Sequence, residues 1–378
     1  MKILLCNSWL FGGGAETVMY NLVERLLEEG HDITVLASPP SDDDIKGTIY
    51  EKVHYIRMRI PTRSGKKYSP KVICNFFARK LYRIYGLIRM RFYKFDLAIS
   101  IKEGVHIKDC SRIRAKRRIS WIQCDLRDFP FMITNAFSSL ESANKLITKK
   151  IDKVVCVSET AKEGYIKTIG DTGNVTVLYN PLNWKRIRML SDKECNHHRD
   201  PERPLIVAMG RLVESKGFMT LLKACSIIKD RLQFDLWILG EGPFRDKLED
   251  YIRSNDLNFV KLFGDVSNPY PLIKQGDLFV SASVSESYGL AIQESLILGV
   301  PVVAVKNPGV AEWFDTRFGV LIDDSADELA ANILDLLGTP SRLDSYRNLL
   351  RNDYPMEPLY EERMEKTIRL LEADGNAV

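Results

Sequence analysis

The sequence predicts an α/β protein of two facing, Rossmann-like, doubly wound domains with a cleft between them. Three observations predict it. Short apolar runs alternate with stretches of helical apolar spacing along the chain. A strand, glycine loop, helix, strand order opens both residues 1–36 and residues 205–239. A polar and charged interval, Ser191 to Pro204, separates the two cycles. A length of 378 residues exceeds one compact domain, and no internal sequence repeat is visible.

The first cycle opens with the apolar run Met1–Cys6, then Gly12-Gly13-Gly14-Ala15-Glu16. Val18, Met19, Leu22, Val23, Leu26 and Leu27 follow at helical spacing up to Gly30, and residues 31–36 form the second strand. That is a βαβ unit, whose strands pair in parallel. Further strands are expected at 52–56, 96–101, 118–122, 154–157 and 175–178. The second cycle places strands at 205–209, 234–239, 259–263, 277–281 and 301–305. Helices are expected at 218–228, 244–252 and 290–298, the last closed by Gly299. From Ala326 the pattern is helical, with Pro355 and Pro358 marking a restart into a final helix over 359–371. The expected organisation is an N-terminal domain over 1–185, a linker over 186–203, a C-terminal domain over 204–355, and a helix over 356–378 packing back toward the N-terminal domain.

Composition narrows the class. With 45% hydrophobic and 28% charged residues, 23 Gly and 16 Pro, the chain is ordinary globular protein. The longest clean apolar run, Leu296 to Val305, is too short to span a bilayer. Seven scattered Cys with no C-x-x-C pair predict reduced thiols and a cytoplasmic setting. The net charge of +4 hides an asymmetry: residues 1–190 carry 33 basic and 19 acidic side chains, residues 191–378 carry 21 and 31. Between Arg57 and Lys94 twelve Lys and Arg occur with no acid, interleaved with Tyr and Phe. Such a segment suits an anionic membrane face or nucleic acid, and equally a solvated helix face. Asp42-Asp43-Asp44 sits among loop residues and is read as solvated rather than metal-binding.

Three clusters carry candidate chemistry. Gly13 and Gly14 let a backbone approach a ligand at a helix start, or simply make a tight turn. The spacing is not G-x-G-x-x-G and no acid ends the second strand, which argues against a dinucleotide. Gly210-Arg211 with Lys216-Gly217 follows the first strand of the second domain. There two cations suit a diphosphate, the alternative being solvated loop cations. Glu286 and Glu294 flank Tyr288-Gly289-Leu290 at a helix start. Carboxylates there accept from hydroxyls while the amides favour an anion, which together suit a nucleotide sugar. The alternative is an exposed Glu294 and a Glu286 that serves only the helix dipole.

Taken as a set, these pieces resemble the retaining glycosyltransferases of the GT-B fold, in particular glycosyltransferase family 4 of the capsule and surface polysaccharide type. The set includes Val157-Ser158-Glu159, Tyr179-Asn180-Pro181, Gly240-Glu241-Gly242-Pro243, Gly264-Asp265-Val266, Asn268-Pro269-Tyr270-Pro271 and the E-x7-E pair Glu286 and Glu294. The resemblance implies that Arg211 and Lys216 clamp the diphosphate, that Glu294 holds the ribose and that Glu286 faces the donor sugar. It implies that Gly210, Val266, Tyr288, Gly289 and Leu290 complete the donor site and that Gly13 and Gly14 approach it from the first domain. At Gln123 the family usually carries His, and Gln cannot titrate. Asp125 is a candidate base on the acceptor side, the alternative being a plain surface carboxylate.

The expected function is therefore transfer of a sugar from a nucleoside diphosphate donor, UDP by family habit, to a membrane-associated, lipid-linked glycan. The partners expected are that donor, that acceptor and an anionic membrane surface contacted through the Arg57–Lys94 segment, with no nucleic acid. The setting expected is the cytoplasm, peripheral at the inner membrane face, with no metal and no cofactor beyond the donor itself. Gln123 keeps a second class open, a non-catalytic subunit that binds a nucleotide sugar for a partner enzyme. An NAD-dependent oxidoreductase lacks its fingerprint, and a sugar epimerase of the same double fold is a minor option.

Overall fold

A computed structural model describes residues 1–7, 10, 13–37, 45–57 and 92–373. Gly12, Cys74, the Asp42–Asp44 run and most of the basic Arg57–Lys94 segment lie outside the described residues. The chain divides into two compact units, one of residues 1–181 with 361–378, the other of residues 182–360. Among the described residues no helix is long and apolar enough to cross a membrane.

The first unit is built on a seven-stranded sheet. Its strands are β1 (Lys2–Cys6), β2 (Asp32–Ala37), β3 (His54–Arg57), β4 (Phe95–Ser100), β5 (Ala115–Ile122), β6 (Lys153–Cys156) and β7 (Val175–Val177). Their order is β3-β2-β1-β4-β5-β6-β7 and every pairing is parallel. Strands covered on both faces read as continuous apolar runs, which is why Ile3-Leu4-Leu5-Cys6 is buried along its whole length. Residues from Glu361 onward, within the last helix Met356–Glu372, belong to this unit. There Met364, Thr367, Ile368 and Leu371 are buried. The Arg117 guanidinium donates to the carbonyls of Leu370 (3.1 Å), Leu371 (3.0 Å) and Ala373. A cation thereby satisfies the open carbonyls of the helix end.

The second unit carries a six-stranded parallel sheet. Its strands are β8 (Leu205–Met209), β9 (Asp235–Leu239), β10 (Val260–Gly264), β11 (Leu278–Ser281), β12 (Val302–Val305) and β13 (Gly319–Ile322), in the order β10-β9-β8-β11-β12-β13. Strand β13 is absent from the sequence reading. The expected linker over 186–203 also differs: it begins inside a helix, Trp184–Ser191, whose Ile187 is buried with Leu182 in the second core. Three cations in eight residues mask that helix, and one apolar contact per turn anchors it. The final helix starts at Met356 rather than 359, because proline at 358 falls in the first turn, where no amide is needed.

Candidate active site

In the second unit the winding reverses at β8, with β9 and β10 on one side and β11 to β13 on the other. The loops leaving β8 and β11 therefore flank the crevice where doubly wound sheets take ligands. These are the loops that hold Gly210 to Gly217 and Glu286 to Gly289.

Backbone contact fixes the two loops against each other. Gly217 has φ 65°, and a Cβ there would lie 1.9 Å from the Ala282 carbonyl oxygen, so only glycine fits. Beside it the Val284 amide donates to the Ser215 carbonyl at 3.0 Å. Lys216 ends the short 3-10 turn Glu214–Lys216, and its Nζ meets Glu286 Oε1 at 2.5 Å. The two side chains are only 24% and 16% exposed. Behind Glu286, a Cβ on Gly309 would stand 2.0 Å from the Glu286 carbonyl oxygen, so the short helix Pro308–Ala311 supports that loop at backbone distance. Buried Asn307 donates to the carbonyls of Ser283 (3.0 Å) and Val305 (3.2 Å).

Arg211 stands exposed on the β8 loop, and among the described residues no ion pair holds it. Its neighbour Gly210 is half-buried and braced from β9: a Cβ on Gly240 would lie 2.0 Å from the Gly210 carbonyl oxygen. The Leu212 amide donates to the Glu241 carbonyl at 2.9 Å, and the Phe244 amide to the Leu212 carbonyl at 3.0 Å. The Gly240-Glu241-Gly242 run therefore acts as a buttress for the cationic loop.

Gly289, with φ 71°, opens the helix Leu290–Ile297 without any side-chain cap. Its start offers amides and the positive end of a dipole to an anion, with half-buried Leu290 as the first helical residue. Tyr288 is buried and its carbonyl accepts from Trp313 Nε1 at 2.6 Å, which fixes the backbone just before that start. Glu294, a little over one turn in, is 5% exposed and accepts from the Tyr270 hydroxyl at 3.0 Å. Burial pushes its carboxyl up to about 7 from 4.5, against the downward pull of the Tyr270 hydrogen bond. Val266 is half-buried and packs on the second core. The fold thus brings Lys216 and Glu286 together across 70 residues. Tyr270, from the Asn268–Pro271 motif, joins the site through packing, as do Asn307, Gly309 and Trp313, which no motif in the sequence announces.

In the first unit, Gly13 and Gly14 are exposed at the start of the helix Gly14–Glu28. Glu16, buried in its first turn, pairs with Lys102 and accepts from Asn7 at 3.5 Å, bridging the ends of β1 and β4 where this sheet reverses. Gln123 follows β5. Its amide donates to Glu103 Oε2 (2.9 Å), its Nε2 donates to the Ile101 carbonyl (3.3 Å) and its Oε1 accepts from Asn180 Nδ2 (3.4 Å). Asp125 is buried, and Arg127 grips it through Nε at 3.0 Å from both oxygens and through Nη2 at 2.6 Å from Oδ2. The Arg127 amide adds a bond of 2.9 Å, and a Cβ on Gly164 would fall 2.0 Å from Oδ1. That geometry makes Asp125 an anchor of its loop rather than a carboxylate open to an acceptor. The signal was in the sequence: an arginine two residues on.

Comparison with known proteins divides the chain in the same way. Residues 12–186 match the family model described as Glycosyltransferase Family 4, and residues 192–353 match Glycosyl transferases group 1. The lipopolysaccharide core biosynthesis glycosyltransferase LpsE of Rhizobium meliloti is 31% identical over 169 residues, 40% of this chain and 48% of that protein. A GDP-mannose-dependent alpha-(1-6)-phosphatidylinositol dimannoside mannosyltransferase of Mycobacterium tuberculosis is 27% identical over 205 residues, 53% of each chain. The chain thus spans about half the length of the curated relatives it matches. Among solved structures, Anabaena HepE in complex with UDP and glucose superposes with a TM-score of 0.73 at 18% identity, covering 98% of this chain and 100% of that one. At that identity the likeness establishes the fold.

Proposed function

Because residues 12–186 match the glycosyltransferase family 4 model and residues 192–353 the group 1 glycosyltransferase model, we propose that the chain is a retaining hexosyltransferase using a nucleoside diphosphate sugar. The observation that carries this reading is the Lys216–Glu286 pair at the reversal of the second sheet, with exposed Arg211 on the same loop. In the reaction the bond from the anomeric carbon to the β-phosphate oxygen breaks and a bond to the acceptor oxygen forms. Negative charge grows on the leaving pyrophosphate, and fixed cations are worth most where charge develops. Arg211 forks onto it and Lys216, released from Glu286, supplies a point charge. Glu286 then turns to the donor sugar hydroxyls while Glu294 accepts from the ribose. The acceptor proton passes to the departing phosphate oxygen, so Gln123 has no proton to carry. With two cations in place, transfer needs no divalent metal and survives EDTA.

The donor is a UDP-sugar and the acceptor a membrane-associated, lipid-linked glycan of a polysaccharide pathway. HepE was solved with UDP, and the LpsE and dimannoside mannosyltransferase relatives are named for lipopolysaccharide core and phosphatidylinositol dimannoside. The basic, aromatic Arg57–Lys94 segment brings the enzyme to an anionic inner membrane face. A thermal-shift panel of UDP-, GDP- and ADP-sugars tests the donor, since a ligand of the native state raises the melting temperature. Stabilisation by UDP-sugars is expected; stabilisation by GDP-sugars alone would overturn the uridine assignment. Vesicles with anionic lipid should capture the chain and lose it when Arg79, Lys80, Arg83, Arg89 and Arg91 become Gln. Gln123, a side chain that cannot titrate where the resembled family usually carries His, favours a second reading, a binding subunit without turnover. Nucleotide release from a donor sugar excludes it.

A further inference from the structure

We infer that Tyr270 is a positioning residue for donor recognition: its hydroxyl holds one oxygen of Glu294 so that the other is presented, ionised, to the vicinal diol of a ribose. This rests on the donor site proposed above. Tyr270 opens the helix Tyr270–Ile273, and Glu294 lies in the helix Leu290–Ile297, so two separate elements are locked together at 3.0 Å. Both side chains are nearly sealed, at 6% and 5% exposure. A buried carboxylate is stable only when its oxygens are hydrogen-bonded, and the tyrosine meets that need for Oε1 alone. The ribose hydroxyls meet it for Oε2. Burial and the neighbouring Glu294 push the tyrosine hydroxyl up, and the positive charge of Arg186, on the helix Trp184–Ser191, pulls it down.

Tyr270 therefore does two things for the diol. It fixes the carboxylate rotamer, and it keeps the group ionised in a place where burial favours the neutral acid. A protonated Glu294 would present a donor to a ribose that also donates, and binding would weaken. Donor affinity should accordingly rise with pH through about 7, as Glu294 ionises. Tyr270→Phe keeps the ring and deletes the hydroxyl. Losing a hydrogen bond to a charged group raises the midpoint by roughly one pH unit, which costs about fivefold in affinity at pH 7 and almost nothing at pH 9.

The test is titration of UDP- and GDP-sugars, whose diesterified phosphates carry no group that ionises near neutral pH, with their 2′-deoxy counterparts, into wild type, Tyr270→Phe and Glu294→Gln between pH 5.5 and 9. Expected are a wild-type midpoint near 7, an upward shift in Tyr270→Phe with recovery at pH 9, and no titration in Glu294→Gln. The preference for ribose over 2′-deoxyribose should shrink in both variants. A Tyr270→Phe that melts earlier yet keeps the wild-type midpoint and ribose preference would overturn the inference and leave the donor site standing. Wild type that binds no nucleotide at any pH would overturn both.

Discussion

Replacing Glu294 by Gln should stabilise the second unit in a pH-dependent way. The carboxyl is buried and raised to about 7 from 4.5, so folding favours its protonated form. The stability that this group allows is full below 4.5 and lost as pH rises through about 7. Two and a half units correspond to about 3 kcal/mol at pH 8, whereas less than about 1 kcal/mol is lost at pH 5. Gln has nearly the same shape, accepts from the Tyr270 hydroxyl with its carbonyl and never ionises. Urea unfolding of wild type and Glu294→Gln at pH 5 and pH 8, followed by the fluorescence of Trp184, Trp237 and Trp313, reads the difference directly. The variant should gain about 3 kcal/mol at pH 8 and little at pH 5 while losing nucleotide affinity, the exchange expected where a binding group sits under electrostatic strain. An equal ΔΔG at both pH values would refute the reasoning, because the effect would then come from packing rather than ionisation.

Gly217→Ala forces a Cβ into the Ala282 carbonyl at a left-handed φ, and should cost the second unit at least about 2 kcal/mol in urea unfolding. An unchanged midpoint would mean that the two loops slide past each other freely. Asp125→Ala removes the bidentate partner of Arg127 and leaves it the longer contact to exposed Glu163 at 3.7 Å. With that arginine 33% exposed, the loss should be about 2 kcal/mol rather than the larger cost of a fully buried pair, seen as earlier thermal unfolding of the first unit. Wild-type unfolding of that variant would remove its anchoring role.

The sheets were legible because buried parallel strands leave an apolar signature that loops do not share. Val302-Val303-Ala304-Val305 is fully covered and could be read at sight, while β13 is four residues beginning at a glycine, with two of them half-buried. The helix Trp184–Ser191 escaped notice because Ile187 is its one fully buried apolar residue, with Trp184 and Leu190 only partly covered and three cations between them. Lys216, Glu286 and Glu294 were legible from chain position, each following the end of a strand at the reversal of the sheet. What that position hides is the partner of each group. Tyr270 meets Glu294 from 24 residues away, and Gly309 meets the Glu286 backbone through a turn that only packing defines. Asp125 shows the converse: its chemistry suggested a base, but the pairing with Arg127 that commits it is a short-range fact of the fold.

The most direct test of the account is the rate of nucleotide release from a donor sugar by wild type and by Lys216→Ala, each at saturating donor. Removing a group that stabilises developing charge should slow release by about a hundredfold or more while the nucleotide still binds. Release by Lys216→Ala at the wild-type rate would show that the cation beside Glu286 does not neutralise the leaving group, and the assignment of this crevice as the reaction site would fall.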